Sequence, residues 1–458
     1  MKKKIILITA FHSFISKNIL NTDVFDILKS NKNLSIVLAV PKPKEKFFLK
    51  IYASDNVSVV GIDVPSAISK PSSVFFSRLS NLLIDSHYLW YKRAERLDST
   101  RTIFAYTKYF VEQLFVKIFS PFRLSRIILR YGFVKKGEVK SIKKVFEEIH
   151  PDILFATDVF DEMDVLFMRE ARSRNIKLIG MVRSWDNCYS KGVMRVVPDN
   201  LIVNNLEIKK EAIILHDISA EKIYVGGLPQ FDASKREVRT NREEFFKDIG
   251  ADPNKKLIFF GPAGSILSDT DWQIAEIVRR AISYHRLPPT QVFVSNHPNH
   301  PADFSKFKND GSFIFATLGK VFSENAKDTE LTNVDTKRLR DLIYYADVIV
   351  YVASTVGIDS LQFDKPQIII DFDGWEKKPY IKSVRRYHDE DHMKKMLVLG
   401  GVTVVMSENE LIDAINKYFK NPSWNKDGRD HMRKQQFHNL DGKAGKRVGN
   451  YLISILKN

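Results

Sequence analysis

A single cysteine, Cys188, in 458 residues cannot close a disulfide or supply a thiolate cluster, which excludes a disulfide-stapled scaffold and a Cys-ligated zinc site. It points to a reducing compartment. No stretch approaches the ~18 consecutive apolar residues of a membrane-crossing helix. Met1-Lys-Lys-Lys followed by Ile5-Ile-Leu-Ile imitates a signal peptide, but Thr9, His12, Ser13 and Ser16 interrupt the apolar run, which reads instead as a first buried strand. A Gly-Lys-Ser/Thr phosphate loop is absent, and no Gly-x-Gly-x-x-Gly follows the first strand, which weakens a dinucleotide reading. Solenoid and propeller repeat periods are missing too.

What is present is a core-forming composition, 44% hydrophobic and 28% charged. The chain is well past the ~250–300 residues at which one core stops growing, so two domains are expected. Net charge is +16, and residues 1–140 carry 24 Lys+Arg against 10 Asp+Glu, an excess of 14. An excess confined to one region suggests one face that meets something anionic: phospholipid, a phosphorylated acceptor or nucleic acid. No helix-turn-helix, zinc-finger or RNP-like pattern accompanies the charge, which ranks nucleic acid last.

Short apolar runs alternate with helical patterns, as in parallel strands joined by crossover helices, so the fold class is α/β. Strands are expected at 4–9, 34–40, 57–62, 153–156, 177–182, 200–203 and 222–225, then at 257–260, 291–295, 312–315, 347–352, 367–371 and 403–406. The pattern gives a first domain over 1–231, a linker over 232–256 and a second domain over 257–458. The last helix either stays in the second domain or crosses back to the first. Residues 74–136 form an insert in which aromatics and aliphatics interleave with Lys and Arg at helical spacing. Such helices suit an anionic membrane surface, or a pair covering the sheet with a solvated basic outer face.

Ligands of parallel sheets sit beyond the carboxyl ends of strands, which directs attention to those ends. In the first half His12 follows the first strand, where a base faces the cleft, and Asp158, Asp161 and Asp186 are competing bases. In the second half the loop Gly261-Pro-Ala-Gly264-Ser265 precedes a helix, either as a phosphate loop whose amides reach the ligand or as a structural strand-to-helix turn. Ser354 and Thr355, with Asp359 one turn later, either cap a helix or hold a phosphate. His297 is a potential donor to a phosphate or leaving-group oxygen, and Arg385 a potential phosphate partner. The pairs His297/His300 and His388/His392 have some metal-like spacing, yet nearby prolines and a solvated helix start are the preferred accounts, so no metal or cofactor is expected.

Several short motifs then occur in a telling order: Gly227-Leu-Pro-Gln-Phe-Asp232, Lys256-Leu-Ile-Phe-Phe-Gly-Pro-Ala263, Asn296-His297-Pro298, Leu342-Ile-Tyr-Tyr-Ala-Asp347, Ser354-Thr355-Val-Gly-Ile-Asp359 and Lys365-Pro366. This series resembles the C-terminal half of GT-B glycosyltransferases, especially the CDP-glycerol glycerophosphotransferase-like branch of surface polymer synthesis. Ser354-Thr355 stands where that branch often has Ser-Ser. Arg183-Ser-Trp-Asp-Asn187 resembles bacterial surface-polysaccharide transferases of undefined donor. The resemblance implies two Rossmann-like doubly wound domains facing a central cleft, with His297, Ser354, Thr355 and Asp359 on the donor's diphosphate or ribose and the Gly261–Ser265 loop beside it.

The expected function is transfer of a sugar from a nucleotide-activated donor to a lipid-linked or polysaccharide acceptor, without a metal. The protein would be cytoplasmic and peripheral at an anionic inner-membrane surface. The alternatives are a CDP-glycerol-type glycerophosphotransferase and a nucleotide-sugar epimerase.

Overall fold

The computed structural model describes residues 3–64, 66–135, 139–236, 239–296, 300–322, 329–352 and 354–457. Contacts divide the chain into two compact units, 1–232 with 435–458, and 233–434. Each is built on a parallel sheet, as the alternation of short apolar runs and helices demands.

The first sheet has seven strands: β1 (Lys4–Thr9), β2 (Leu34–Pro41), β3 (Val57–Ile62), β4 (Ile153–Ala156), β5 (Lys177–Met181), β6 (Asn200–Val203) and β7 (Ile223–Val225). Their spatial order is β3-β2-β1-β4-β5-β6-β7, with every pairing parallel. Side chains alternate between two cores. Leu7, Val37 and Ala39 join helix residues Ile142, Phe146 and Phe167 on one face. Ile6, Ile8, Ile36 and Leu38 join Val24, Leu28 and Phe48 on the other. Helices before and after β4 thus cover the face opposite to those that follow β1 and β2. The order reverses between β1 and β4, which makes their carboxyl ends a topological switch point. The final helix, Ala444–Lys457, packs on this unit through Val448, Leu452 and Leu456.

The second sheet contains β8 (Lys256–Gly261), β9 (Thr290–Asn296), β10 (Phe313–Thr317), β13 (Val348–Tyr351), β14 (Gln367–Ile370) and β15 (Thr403–Val405). A two-stranded ribbon is made by β11 (Lys320–Val321) and β12 (Thr329–Glu330). The main sheet runs β10-β9-β8-β13-β14-β15, and its switch point lies between β8 and β13. Both halves are doubly wound α/β units, as expected from the sequence. Within the stretch read as a linker, Arg242–Asp248 is a helix that buries Phe245 and Phe246, so it belongs to the second unit's packing.

The insert consists of the helices Pro71–Leu82, His87–Thr100, Ile103–Phe119 and Arg123–Val134. A small core of Leu83, Ile84, Leu89, Leu129 and Val193 holds it to the first unit. Arg126 reinforces that join with a two-pronged pair to Asp217, Nε to Oδ2 at 2.7 Å and Nη2 to Oδ1 at 2.8 Å. Arg130 donates to the carbonyls of Met194 (3.0 Å) and His216 (2.6 Å). Among the described residues no helix is long and apolar enough to cross a membrane.

Candidate functional site

In the first unit, the carboxyl ends of β1, β4 and β5 converge on a buried polar network. Thr9, the last residue of β1, donates through Oγ1 to Asp164 and accepts there the Thr157 amide at 3.1 Å. Burial, with Asp161 and Asp158 nearby, pushes the Asp164 carboxyl well above the ordinary range, and its Oδ2 has no partner. Above it, Arg183 Nε donates to Asp158 Oδ2 at 2.7 Å, while Asp158 Oδ1 accepts the Phe160 amide at 3.0 Å. Both groups are nearly buried, so this charge pair fixes the guanidinium at the end of β5.

Asp186 stands three residues on. Its two oxygens accept Ser184 Oγ at 2.6 Å and Ser190 Oγ at 2.7 Å, an arrangement that orients the carboxylate. His12 is half-buried just beyond β1, and its Nδ1 accepts the Phe14 amide at 3.3 Å. In the neutral ring the proton then resides on Nε2, which makes that nitrogen a donor. His12, Asp158 and Asp186 all lie at the carboxyl edge of one sheet. The structure couples Asp158 to Arg183 and Asp186 to two serines.

In the second unit, the β8 loop is partly closed by its own helix start. The Ala263 and Gly264 N–H groups donate to the two oxygens of Asp271, at 3.0 and 2.9 Å. These two donors are satisfied by a carboxylate at the start of the helix Asp271–Ser283. Gly264 has φ +84°, and an added Cβ would lie 2.4 Å from the His300 carbonyl oxygen, so the turn requires glycine. Gly261 ends β8 and is buried, whereas Ser265 is exposed at the tip.

After β13, Ser354 Oγ accepts the Val356 amide at 3.2 Å, and Thr355 is exposed beside it. Asp359 is buried one turn later. Gly357 lets this turn close: a Cβ there would meet the Tyr351 hydroxyl at 2.3 Å. Arg385 reaches Ser383 Oγ at 2.9 Å and the Lys378 carbonyl at 3.1 Å while remaining exposed. His297 lies outside the described residues.

The same edge carries a pair that sequence reasoning missed. His388 Nδ1 lies 2.5 Å from Asp371 Oδ1, at the end of β14, and its Nε2 lies 3.4 Å from the Val352 carbonyl, at the end of β13. His388 was read with His392 as belonging to a solvated helix start; both are buried, and His392 Nε2 lies 3.5 Å from Glu390. Asp371 closes the strand expected over 367–371, and that strand end was the available signal. Among the described residues no group of three His, Cys, Asp or Glu side chains has the geometry to hold a metal.

The profile of the CDP-glycerol:poly(glycerophosphate) glycerophosphotransferase family matches residues 183–454. No curated protein sequence matches significantly. Solved structures with a similar fold include a putative UDP-N-acetylglucosamine 2-epimerase from Listeria monocytogenes, 10% identical, with TM-score 0.56 and coverage of 100% of this chain and 96% of that one. A UDP-GlcNAc 2-epimerase from Methanocaldococcus jannaschii is 14% identical, with TM-score 0.53 and coverage of 99% and 100%. The wall teichoic acid polymerase TagF, soaked with CDPG, is 13% identical, with TM-score 0.54 and coverage of 100% and 90%. At these identities the likeness establishes the fold, which is GT-B.

Proposed function

Because the match over residues 183–454 makes this chain a member of the CDP-glycerol:poly(glycerophosphate) glycerophosphotransferase family, we propose that it transfers a polyol phosphate from a CDP-activated donor to a hydroxyl of a lipid-linked or glycan acceptor in surface-polymer synthesis. Membership of that family is the observation that carries this reading. In the proposed step the acceptor oxygen attacks the donor's distal phosphorus. The bond from that phosphorus to the bridging oxygen breaks, CMP leaves with the electron pair, and the acceptor proton passes to a base.

Asp186 suits the role of base, since its hydrogen bonds from Ser184 and Ser190 hold the carboxylate in a fixed orientation at the carboxyl edge of the sheet. Arg183, held by Asp158, and the Nε2 proton of His12 suit stabilisation of developing negative charge. The first unit would thus receive the acceptor and the second the donor. There Ser265, Ser354, Thr355 and Arg385 would meet the nucleotide's phosphates or ribose, with His297 as a further donor group and Asp359, the buried His388–Asp371 pair and the Gly261–Gly264 turn as support. The reading assigns neutralisation of the leaving phosphate to these groups rather than to a metal, so turnover should persist in EDTA.

Transfer of a sugar from a nucleotide donor is the second reading, and Arg183-Ser-Trp-Asp-Asn187 is the segment that favours it. A nucleotide-sugar epimerase would need no acceptor, which the family match does not support. Thermal shift with CDP-glycerol and a panel of UDP-, GDP-, CMP- and dTDP-sugars decides among them. Stabilisation by CDP-glycerol is expected, weakened about tenfold in affinity by Ser354→Ala, the equivalent of one phosphate hydrogen bond. Stabilisation by a nucleotide sugar alone would transfer the assignment to the second reading, and no response to any donor would end both.

A further inference from the structure

Within the insert, the helices Pro71–Leu82, His87–Thr100 and Ile103–Phe119 enclose a cavity of about 240 Å³. It is lined by four cationic side chains, Arg78, Lys92, Arg93 and Arg96, and by the carboxylate Glu112, which pairs with Arg96 at 3.5 Å, while Lys92 pairs with Glu95 at 3.0 Å. Arg93 is only 3% exposed. Its Nη2 donates to Gln113 Oε1 at 3.3 Å, but its Nε has no partner. Burial lowers the Arg93 pKa, opposed by Glu112 and Asp85. A buried cation with an idle donor is costly unless an anion completes it.

The cavity's position adds a second, independent observation. Ser190 belongs to its wall, and the same Ser190 hydroxyl donates to Asp186 Oδ2 at 2.7 Å. Close packing fixes this register: a Cβ on Gly192 would meet Asn81 Oδ1 at 2.5 Å, and the Val193 amide donates to the Ser80 carbonyl at 3.0 Å. Ser86 Oγ also donates to the Tyr189 carbonyl at 2.9 Å. An anion in the cavity therefore sits one side chain from Asp186.

The outer side of the insert has a different chemistry. Phe104, Phe110, Leu114, Phe122, Leu124 and Ile128 are each more than half exposed. Lys108, Lys117 and Arg123 are interspersed among them. Exposed aromatics and aliphatics between basic residues complement the boundary of an anionic lipid layer.

We propose that this insert binds the phosphate or pyrophosphate head of an amphiphilic acceptor, with Arg78, Lys92, Arg93 and Arg96 around the anion and the exposed apolar side of the Ile103–Phe119 and Arg123–Val134 helices against the lipid. The volume is below the roughly 300–1,000 Å³ of sites that enclose a drug-sized ligand, and suits a head group alone. Calling the anion the acceptor's rests on the transferase reading; binding itself needs no donor.

The test uses the full chain without nucleotide. Inorganic pyrophosphate is titrated calorimetrically, and flotation is measured with phosphatidylcholine vesicles containing either phosphatidate or phosphatidylglycerol. The double variant Arg78→Gln/Lys92→Gln should bind pyrophosphate at least about tenfold more weakly and lose its preference for phosphatidate. Phe110→Ser/Leu114→Ser, at exposed positions, should keep pyrophosphate affinity but lose flotation. Unchanged pyrophosphate binding in the first variant, or no binding of pyrophosphate and phosphatidate by the parent, overturns the site. Pyrophosphate binding without flotation overturns the lipid source in favour of a soluble phosphoanion. Failure in any arm leaves the donor thermal-shift result untouched, so the two readings fall separately.

Discussion

Asp271 is 2% exposed, and burial raises its pKa to about 6 although the Ala263 and Gly264 amides favour the ionised form. Its folded value exceeds its unfolded one, so the folded state binds the proton more tightly. The resulting stability is present below pH ~4 and is lost as pH rises to about 6, on the order of 3 kcal/mol. His216 behaves oppositely. Burial, aided by Arg130, holds its pKa near about 3, while Met194 donates its amide to Nδ1 at 3.2 Å and Nε2 faces the Cys188 carbonyl at 3.1 Å. Its neutral form is the folded one, and the associated stability present above pH 6.5 is lost as pH falls towards about 3. Denaturant midpoints measured across this range should separate the two. Asp271→Asn should remove a contribution that falls with rising pH, and His216→Asn one that rises with it. Parallel profiles for all three proteins would contradict both assignments. Neither partner set was legible in the sequence, because Asp271 lies seven residues from Gly264 and His216 answers to segments more than twenty residues away.

Among elements, strands were the most legible, since a strand buried on both faces has to be a short apolar run. Lys4–Thr9, Val57–Ile62 and Ile153–Ala156 fall where the pattern puts them. Loops were least legible, because their hydrogen bonds depend on what else reaches the same strand edge. The β8 turn reads either as a phosphate loop or as a structural turn until Asp271 is seen occupying two of its amides. Likewise, His388 gains its meaning only from Asp371, 17 positions away. The insert illustrates how such long-range contacts hold an element. Its last helix relies on Arg126 and Arg130 meeting Asp217, all three largely buried. Asp217→Asn would leave two buried guanidinium groups without their counter-charge, a loss of about 3–5 kcal/mol for a broken buried pair. Limited proteolysis should then cut first within residues 71–134, ahead of the sheets. Cleavage with the parent's pattern and rate would show that the small apolar core alone secures the insert.

For the whole molecule, both sheets reverse order between a first strand and its later neighbour, β1/β4 and β8/β13, and each switch point gathers polar side chains at its carboxyl edge. Two unlike constellations result. The first unit pairs an aimed carboxylate with a fixed guanidinium and a cationic insert, while the second offers hydroxyls, a buried His–Asp pair and an exposed arginine. If the two handle different substrates, losses in one should not depend on the other. Lys92→Gln should raise the KM for a lipid acceptor and leave donor binding alone, whereas Ser354→Ala should do the reverse. Energies of sites with no shared partners add to within ~0.3–0.5 kcal/mol, so in the double variant the loss of kcat/KM should equal the product of the single losses. A coupling above ~1 kcal/mol would mean that acceptor and donor groups act on one bound molecule, and the division of labour between the units would have to be redrawn.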